Sequence, residues 1–172
     1  MDPVYTVSII PTGMGAAGYT LPITEDDNMF NTKGKMLQEI MVALGGRIAE
    51  AIVFDDITTG ASNDIKRATA TARKMITKYG MSDEVGVICY DDDENEVFIG
   101  RDWGHTRGYS EDVAGKIDRE TKAIIDKCYA DAEKIINDNI DVLNKVAELL
   151  IEKEKIGREE FESCFNTETA GE

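Results

Sequence analysis

The sequence predicts a mainly α-helical fold with a few short β-strands in its N-terminal half. Two observations carry that expectation. Apolar residues recur at three- and four-residue steps over long stretches from Met36 to Phe165, the signature of helices with one buried face. β-Branched, mostly apolar runs are by contrast short, and the clearest, VYTVSII at 4–10, is stopped by Pro11.

In chain order, residues 4–10 read as a strand, followed by a glycine-rich turn and a short extended piece at 18–21 that Pro22 ends. An acidic loop covers 24–28. Thr32 is a plausible N-cap for a helix whose Met36, Leu37, Ile40, Met41 and Leu44 share a face. Gly45-Gly46 is expected to interrupt it, and the pattern resumes over 47–54 with Ile48 and Ile52. After the turn Thr58-Thr59-Gly60, Ser62 or Asn63 caps the next helix, with Ile65, Ala68, Ala72, Met75, Ile76 and Tyr79 on its apolar face and Gly80 as its stop. Residues 85–90 and 96–99 read as two strands around the acidic turn 91–95. Ser110 then caps the longest helix, where Val113, Ile117, Ile124, Cys128 and Ile135 form a narrow apolar seam. A further helix restarts at Asn137 or Asp138 and carries Ile140, Leu143, Val146, Leu150 and Ile151. A short amphipathic piece spans 158–165. The folded domain is expected over 1–165, with 166–172 a disordered tail.

A length of 172 residues suits one domain, or one and a half small ones, and 42% hydrophobic content is enough for a core despite the formal charge of −15. That charge repels phosphate backbones and anionic lipid, which argues against nucleic acid and against membrane contact by this chain. No apolar run is long enough to span a bilayer, so the expectation is a soluble fragment. Cys89, Cys128 and Cys164 are odd in number and unpaired in spacing, which disfavours a disulfide framework or a zinc ribbon. His105 is the sole histidine, so the chain alone cannot build a two-histidine metal site.

Most motifs have a plain reading. Gly13-Met14-Gly15-Ala16-Ala17-Gly18 fits G-x-G-x-x-G, but extended chain and Pro22 follow it where a dinucleotide site needs a helix N-terminus. A strand–turn–strand corner accounts for it, and no cofactor-binding residue is assigned. Asp91, Asp93 and Asn95 alternate as in a calcium loop, yet Glu96 stands where that loop requires glycine, so a solvated hairpin turn fits better. The stretch TTGASNDIKRAT at 58–69 stands out. In structural terms Ser62 or Asn63 caps a helix and Asp64 complements its dipole. In chemical terms Asp64 is a carboxylate on a helix turn, able to ligate a divalent metal if histidines elsewhere complete the site.

The decisive pattern is a series of short stretches in order: Asp2-Pro3-Val4 with Val7-Ser8-Ile9-Ile10-Pro11, Leu44-Gly45-Gly46-Arg47 with Ala49-Glu50, and Thr58-Thr59-Gly60-Ala61 with Asn63-Asp64. Tyr79-Gly80-Met81-Ser82, Phe98-Ile99-Gly100-Arg101-Asp102 and Tyr109-Ser110-Glu111 follow. Over about residues 2–164 the chain resembles the peptidase domain of the FtsH-type ATP-dependent zinc metalloproteases, the membrane-anchored AAA proteases. The resemblance implies the C-terminal part of that domain, lacking the His-Glu-x-x-His helix that supplies two zinc ligands and the general base. By motif Asp64 is the third ligand. No catalytic residue then lies in this chain, since the base is expected upstream; Glu50 could stand behind the zinc ligands, but a plain helix-surface glutamate fits better and no role is carried over to it.

The implied parent is a zinc endopeptidase that uses ATP, through a AAA module absent here, to degrade unfolded or membrane proteins. Its partners would be protein or peptide substrates and five further copies in a homo-hexamer. It would be anchored in the cytoplasmic membrane with this domain in the cytoplasm. The chain alone is expected to be inactive. The strand at 4–10 and its continuation would lie beside the substrate cleft, where an edge strand can hold an extended peptide by main-chain pairing. The alternative is a stand-alone, non-catalytic helical protein-interaction module. A metal enzyme using Asp64, His105 and a cysteine is a third reading, which requires those groups to meet.

Overall fold

The computed structural model describes residues 3–11, 18–23, 30–90 and 108–166. The expectations at Gly13 to Ala17, the acidic loop, the turn at 91–95, the strand at 96–99, His105 and the tail from 167 lie outside them. The described residues fall into two compact units, one within Met1–Phe30 and Ile135–Glu172, the other within Asn31–Lys134. The fold is mainly helical with one small antiparallel sheet, as the periodicity predicts.

In the first unit, β1 (Val4–Ser8) is the middle strand, between β2 (Tyr19–Pro22) and β3 (Lys155–Gly157). Val7 faces Thr20 on one side and Ile156 on the other. β1 buries two hydroxyls, and both are satisfied by β3 and the residue before it. Thr6 Oγ1 donates to the Ile156 carbonyl at 3.3 Å and Ser8 Oγ to that of Glu154 at 3.4 Å. The strand ends earlier than expected because Ile10 N–H turns back onto Ser8 Oγ at 3.2 Å. Gly18 is required by a close approach: a Cβ there would lie 2.3 Å from the Ser8 carbonyl oxygen. Position 155–157 gave no strand signal, since three residues are too short for an alternating pattern, and β1 imposes the extended conformation. Between the strands, α4 (Ile140–Lys153) ends at Glu154 in the left-handed region, φ 60°. α5 (Arg158–Ser163) begins where Glu160 accepts the Gly157 N–H at 3.1 Å.

The second unit opens with α1 (Lys33–Phe54), capped by Thr32, whose Oγ1 accepts the Lys35 N–H at 3.2 Å. Gly45-Gly46 does not break it. Each glycine costs up to about 1 kcal/mol against alanine in a helix interior. The stripe Met36, Ile40, Ala43, Leu44 and Ile48 is buried on both sides of the pair, so packing outweighs that cost. α2 (Ser62–Thr77) buries Ala68, Ala72, Met75 and Ile76 as predicted, while Ile65 and Tyr79 stay exposed. Its cap differs from expectation: Ala61 is the N-cap, and neither Ser62 nor Asn63 caps it. Gly80 ends the segment at φ +59°, with Met81 N–H closing onto the Met75 carbonyl at 2.8 Å.

Residues 85–90 form no strand. Val85 alone turns into the core, joining Ile76 and Ile117, while Val87, Ile88 and Cys89 are exposed, and Tyr90 N–H bonds the Thr77 carbonyl at 2.7 Å rather than a neighbouring strand. Ser82 anchors this loop to α3 (Glu111–Asp138) by donating to Glu120 Oε2 at 2.7 Å, and its Oγ accepts the Val85 N–H. Arg73 on α2 reaches both Asp118 on α3 and the Tyr109 hydroxyl, and the Tyr109 ring stacks edge-on against Tyr90 at 5.5 Å. Ser110 caps α3 as expected, at 3.4 Å from the Val113 N–H. Of the predicted seam, Ile117 and Cys128 are buried, Val113 and Ile124 half-buried, and Ile135 exposed. Asn139 separates α3 from α4, its side-chain amide donating to the Ile135 carbonyl at 2.8 Å.

Candidate functional site

α1 places Arg47 and Glu50 one turn apart, facing the loop 55–61 that leads into α2. That loop starts with Asp55 in the left-handed region, φ 49°, which aspartate tolerates better than most residues. It then folds back on α1. Thr58 Oγ1 donates to Glu50 Oε1 at 2.7 Å, and Thr58 N–H donates to Glu50 Oε2 at 3.3 Å. Arg47 Nη2 donates to the Thr58 carbonyl at 2.8 Å, while Arg47 Nη1 is buried 3.7 Å from Glu50 Oε2. Thr58 Oγ1 in turn accepts the Gly60 N–H at 3.1 Å, Ser62 N–H returns to the Thr59 carbonyl, and Ile65 N–H starts the helix on Ala61.

Glu50 is therefore not the plain surface glutamate its position on α1 suggested. Its side chain is 23% exposed and both oxygens accept from Thr58. The Thr58 hydroxyl, then the Thr58 amide, hold its carboxyl below the usual range, with a smaller contribution from Arg47. The consequence for pH has a definite sign. A carboxyl depressed in the folded state contributes stability that is fully present above the unfolded value, about 4.3, and is lost as pH falls through the lower folded value. The Thr58 amide resonance is expected to titrate with a midpoint below the ordinary glutamate value; a midpoint at or above it contradicts the arrangement.

Asp64 sits in the first turn of α2, where an anionic side chain complements the helix dipole. Its side chain is 49% exposed and pairs with Arg67 Nη2 at 3.2 Å, one turn on, itself largely exposed. A half-open carboxylate on a regular helix turn is a suitable oxygen donor for zinc. It is one donor only: among the described residues no group of three or more histidine, cysteine, aspartate or glutamate side chains could hold a metal ion. Cys89 is exposed, Cys128 and Cys164 are buried, and all three are free thiols. Burial pushes the Cys128 thiol up, with its Sγ against the Leu37 carbonyl at 3.8 Å. Asp64 could offer one oxygen to a zinc site whose other ligands lie elsewhere.

Residues 1–164 match Peptidase family M41. The chain belongs to peptidase family M41. Among curated relatives of this family, it is 53% identical over 166 residues to the ATP-dependent zinc metalloprotease FtsH 1 of Thermoanaerobacter sp. (strain X514), covering 96% of this chain and 27% of that protein. The ATP-dependent zinc metalloprotease FtsH of Veillonella parvula is 43% identical over 99% of this chain and 26% of its own length. That of Thermotoga maritima is 43% identical over 97% and 27%. The chain spans about a quarter of the length of these curated relatives. No described helix is long and apolar enough to cross a membrane.

Sequence reasoning missed the Arg47–Glu50–Thr58 contacts. The available signal was an Arg and a Glu three apart on one helix face, followed eight residues after the Glu by a Thr-Thr-Gly turn. Only the path of the loop decides that the two meet.

Proposed function

We propose that residues 1–165 are the C-terminal part of the peptidase domain of an ATP-dependent zinc metalloendopeptidase, and that Asp64 supplies one of its three protein zinc ligands. The observation that supports this reading is the M41 match over 1–164 combined with a half-exposed Asp64 on an otherwise unremarkable helix turn. The other ligands, two histidines, and the general base are assigned to a His-Glu-x-x-His helix of the full-length protein. Bound zinc would supply Lewis-acid polarisation of the scissile carbonyl and a water of lowered pKa. Asp64 contributes one anionic oxygen and no proton transfer, so the 172-residue chain by itself is inactive in this account.

The substrates proposed are unfolded or membrane proteins, presented as extended chain. β1 cannot receive them, because β2 and β3 occupy both its sides. Among the described residues β2 and β3 are both edge strands; of the two, β2 exposes all four of its residues, and Pro22, lacking an N–H, closes its far end. Main-chain pairing there would hold a peptide with little side-chain preference. The ATP-driven module, the membrane anchor, the cytoplasmic placement of this domain and the hexamer belong to the same proposal for the full-length protein.

The test is degradation of casein by the purified full-length protein. ATP-dependent cleavage that stops on adding a zinc chelator, with none from the 172-residue chain, is the expected result. Cleavage insensitive to the chelator, or cleavage by the chain alone, contradicts the reading.

A further inference from the structure

We infer that Thr6 and Ser8 are positioning residues for substrate: their buried hydroxyls fasten β1 to residues 154–156 and so hold the open β2 edge in place. This rests on the reading of that edge as the place where an extended peptide pairs. β2 cannot locate itself. None of its four residues is buried, and among the described residues its sheet partner is β1 alone. A two-stranded ribbon is at best marginally stable in water. The edge therefore depends on what lies on the far side of β1.

That far side is supplied by the other end of the chain. Glu154 closes α4 in the left-handed region, its N–H on the carbonyl of buried Leu150 at 2.8 Å. Two residues on, Ile156 is fully buried. The carbonyls of Glu154 and Ile156 receive β1. Glu154 accepts the Ile9 N–H at 3.0 Å and Ser8 Oγ at 3.4 Å, while Ile156 accepts Thr6 Oγ1 at 3.3 Å. Thr6 and Ser8 are only 8% and 2% exposed, so little water reaches either hydroxyl to replace these partners. The same two residues face β2, Thr6 opposite Leu21 and Ser8 opposite Tyr19. Ser8 also sets where β2 begins. Its Oγ accepts the Ile10 N–H at 3.2 Å, and its carbonyl leaves Gly18 no room for a Cβ. Without the two hydroxyls the β1–β2 ribbon keeps its own pairing but gains freedom to shift against 154–156. A peptide must then order the edge as it binds, and that cost appears as weaker binding rather than a slower bond-breaking step.

The experiment measures KM and kcat of the full-length protein on a short quenched-fluorescent peptide, with zinc content and thermal unfolding recorded in parallel. Ser8→Ala and Thr6→Val are each expected to raise KM by roughly 3- to 10-fold, the size of one lost buried hydrogen bond. kcat and zinc content stay nearly unchanged, and Thr6→Ser stays close to wild type. A copy of the peptide N-methylated at alternate residues away from the scissile bond cannot pair along an edge, so wild type is expected to show a raised KM for it. Wild-type KM in both Ser8→Ala and Thr6→Val, alongside that N-methylation effect, overturns the inference and leaves the edge reading standing. An unchanged KM for the N-methylated copy overturns the edge reading itself. Losses of kcat and zinc that match the rise in KM mean general damage to the domain and also overturn the inference. Should Ser8→Ala fail to fold, the Thr6 pair decides: equal KM values in Thr6→Val and Thr6→Ser overturn the inference, because the hydroxyl is then not the operative contact.

Discussion

Replacing Asp64 by alanine in the full-length protein is expected to remove most of its zinc and its proteolysis while leaving its fold intact. The two effects differ in size for physical reasons. As a structural group Asp64 offers a half-exposed ion pair with Arg67 and a dipole contact at a helix start, together about 1 kcal/mol or less. As a ligand it would be one of three. Structural zinc sites with four protein ligands bind with apparent energies of about 10–16 kcal/mol, or roughly 2.5–4 kcal/mol per ligand, which is about two to three orders of magnitude in affinity. The measurement pairs zinc content after dialysis with the melting temperature. Loss of both metal and fold, or retention of both, contradicts the assignment.

Gly80→Ala is expected to destabilise the unit within Asn31–Lys134 by about 2–5 kcal/mol, through two costs that add. Its φ of +59° charges any side chain roughly 1–2 kcal/mol. The new Cβ would also sit 3.0 Å from the Val87 Cα, and relieving contact with backbone typically costs about 1–3 kcal/mol. Val87 follows Gly86, itself at φ +81°, so the loop on the far side is constrained as well. That loop holds Val85 in the core and Ser82 on Glu120, and shifting it disturbs both. Urea unfolding of the 172-residue chain followed by circular dichroism reads the change. A loss under about 0.5 kcal/mol, typical of a neutral surface substitution, contradicts the account of this turn.

The positions of α1 and α2 were legible because each carries a buried stripe long enough to show its period, Met36 to Ile48 on α1 and Ala68 to Ile76 on α2. Gly80 was legible for the related reason that a left-handed residue after such a stripe leaves few alternatives to glycine. What failed was set by contacts between distant segments. The apolar run at 85–90 reads as a strand by composition, but only Val85 faces the core. β3 takes its conformation from β1, about 150 residues earlier in the chain, and a three-residue strand has no pattern to read. Gly45-Gly46 reads as a break because propensity is local, whereas burial of Leu44 and Ile48 on either side is not. At the candidate site, Asp64 is proposed from the motif alone. Glu50 was misread because whether a helix glutamate meets solvent or a returning loop depends on the path of residues 55–61, which spacing does not encode.

The most direct test of the central claim is anomalous diffraction at the zinc edge from crystals of the full-length protein. The account predicts a peak about 2.0–2.2 Å from a carboxylate oxygen of Asp64, the normal zinc–oxygen distance, with two histidine nitrogens completing the protein ligands. A zinc peak whose protein ligands do not include Asp64 would contradict it.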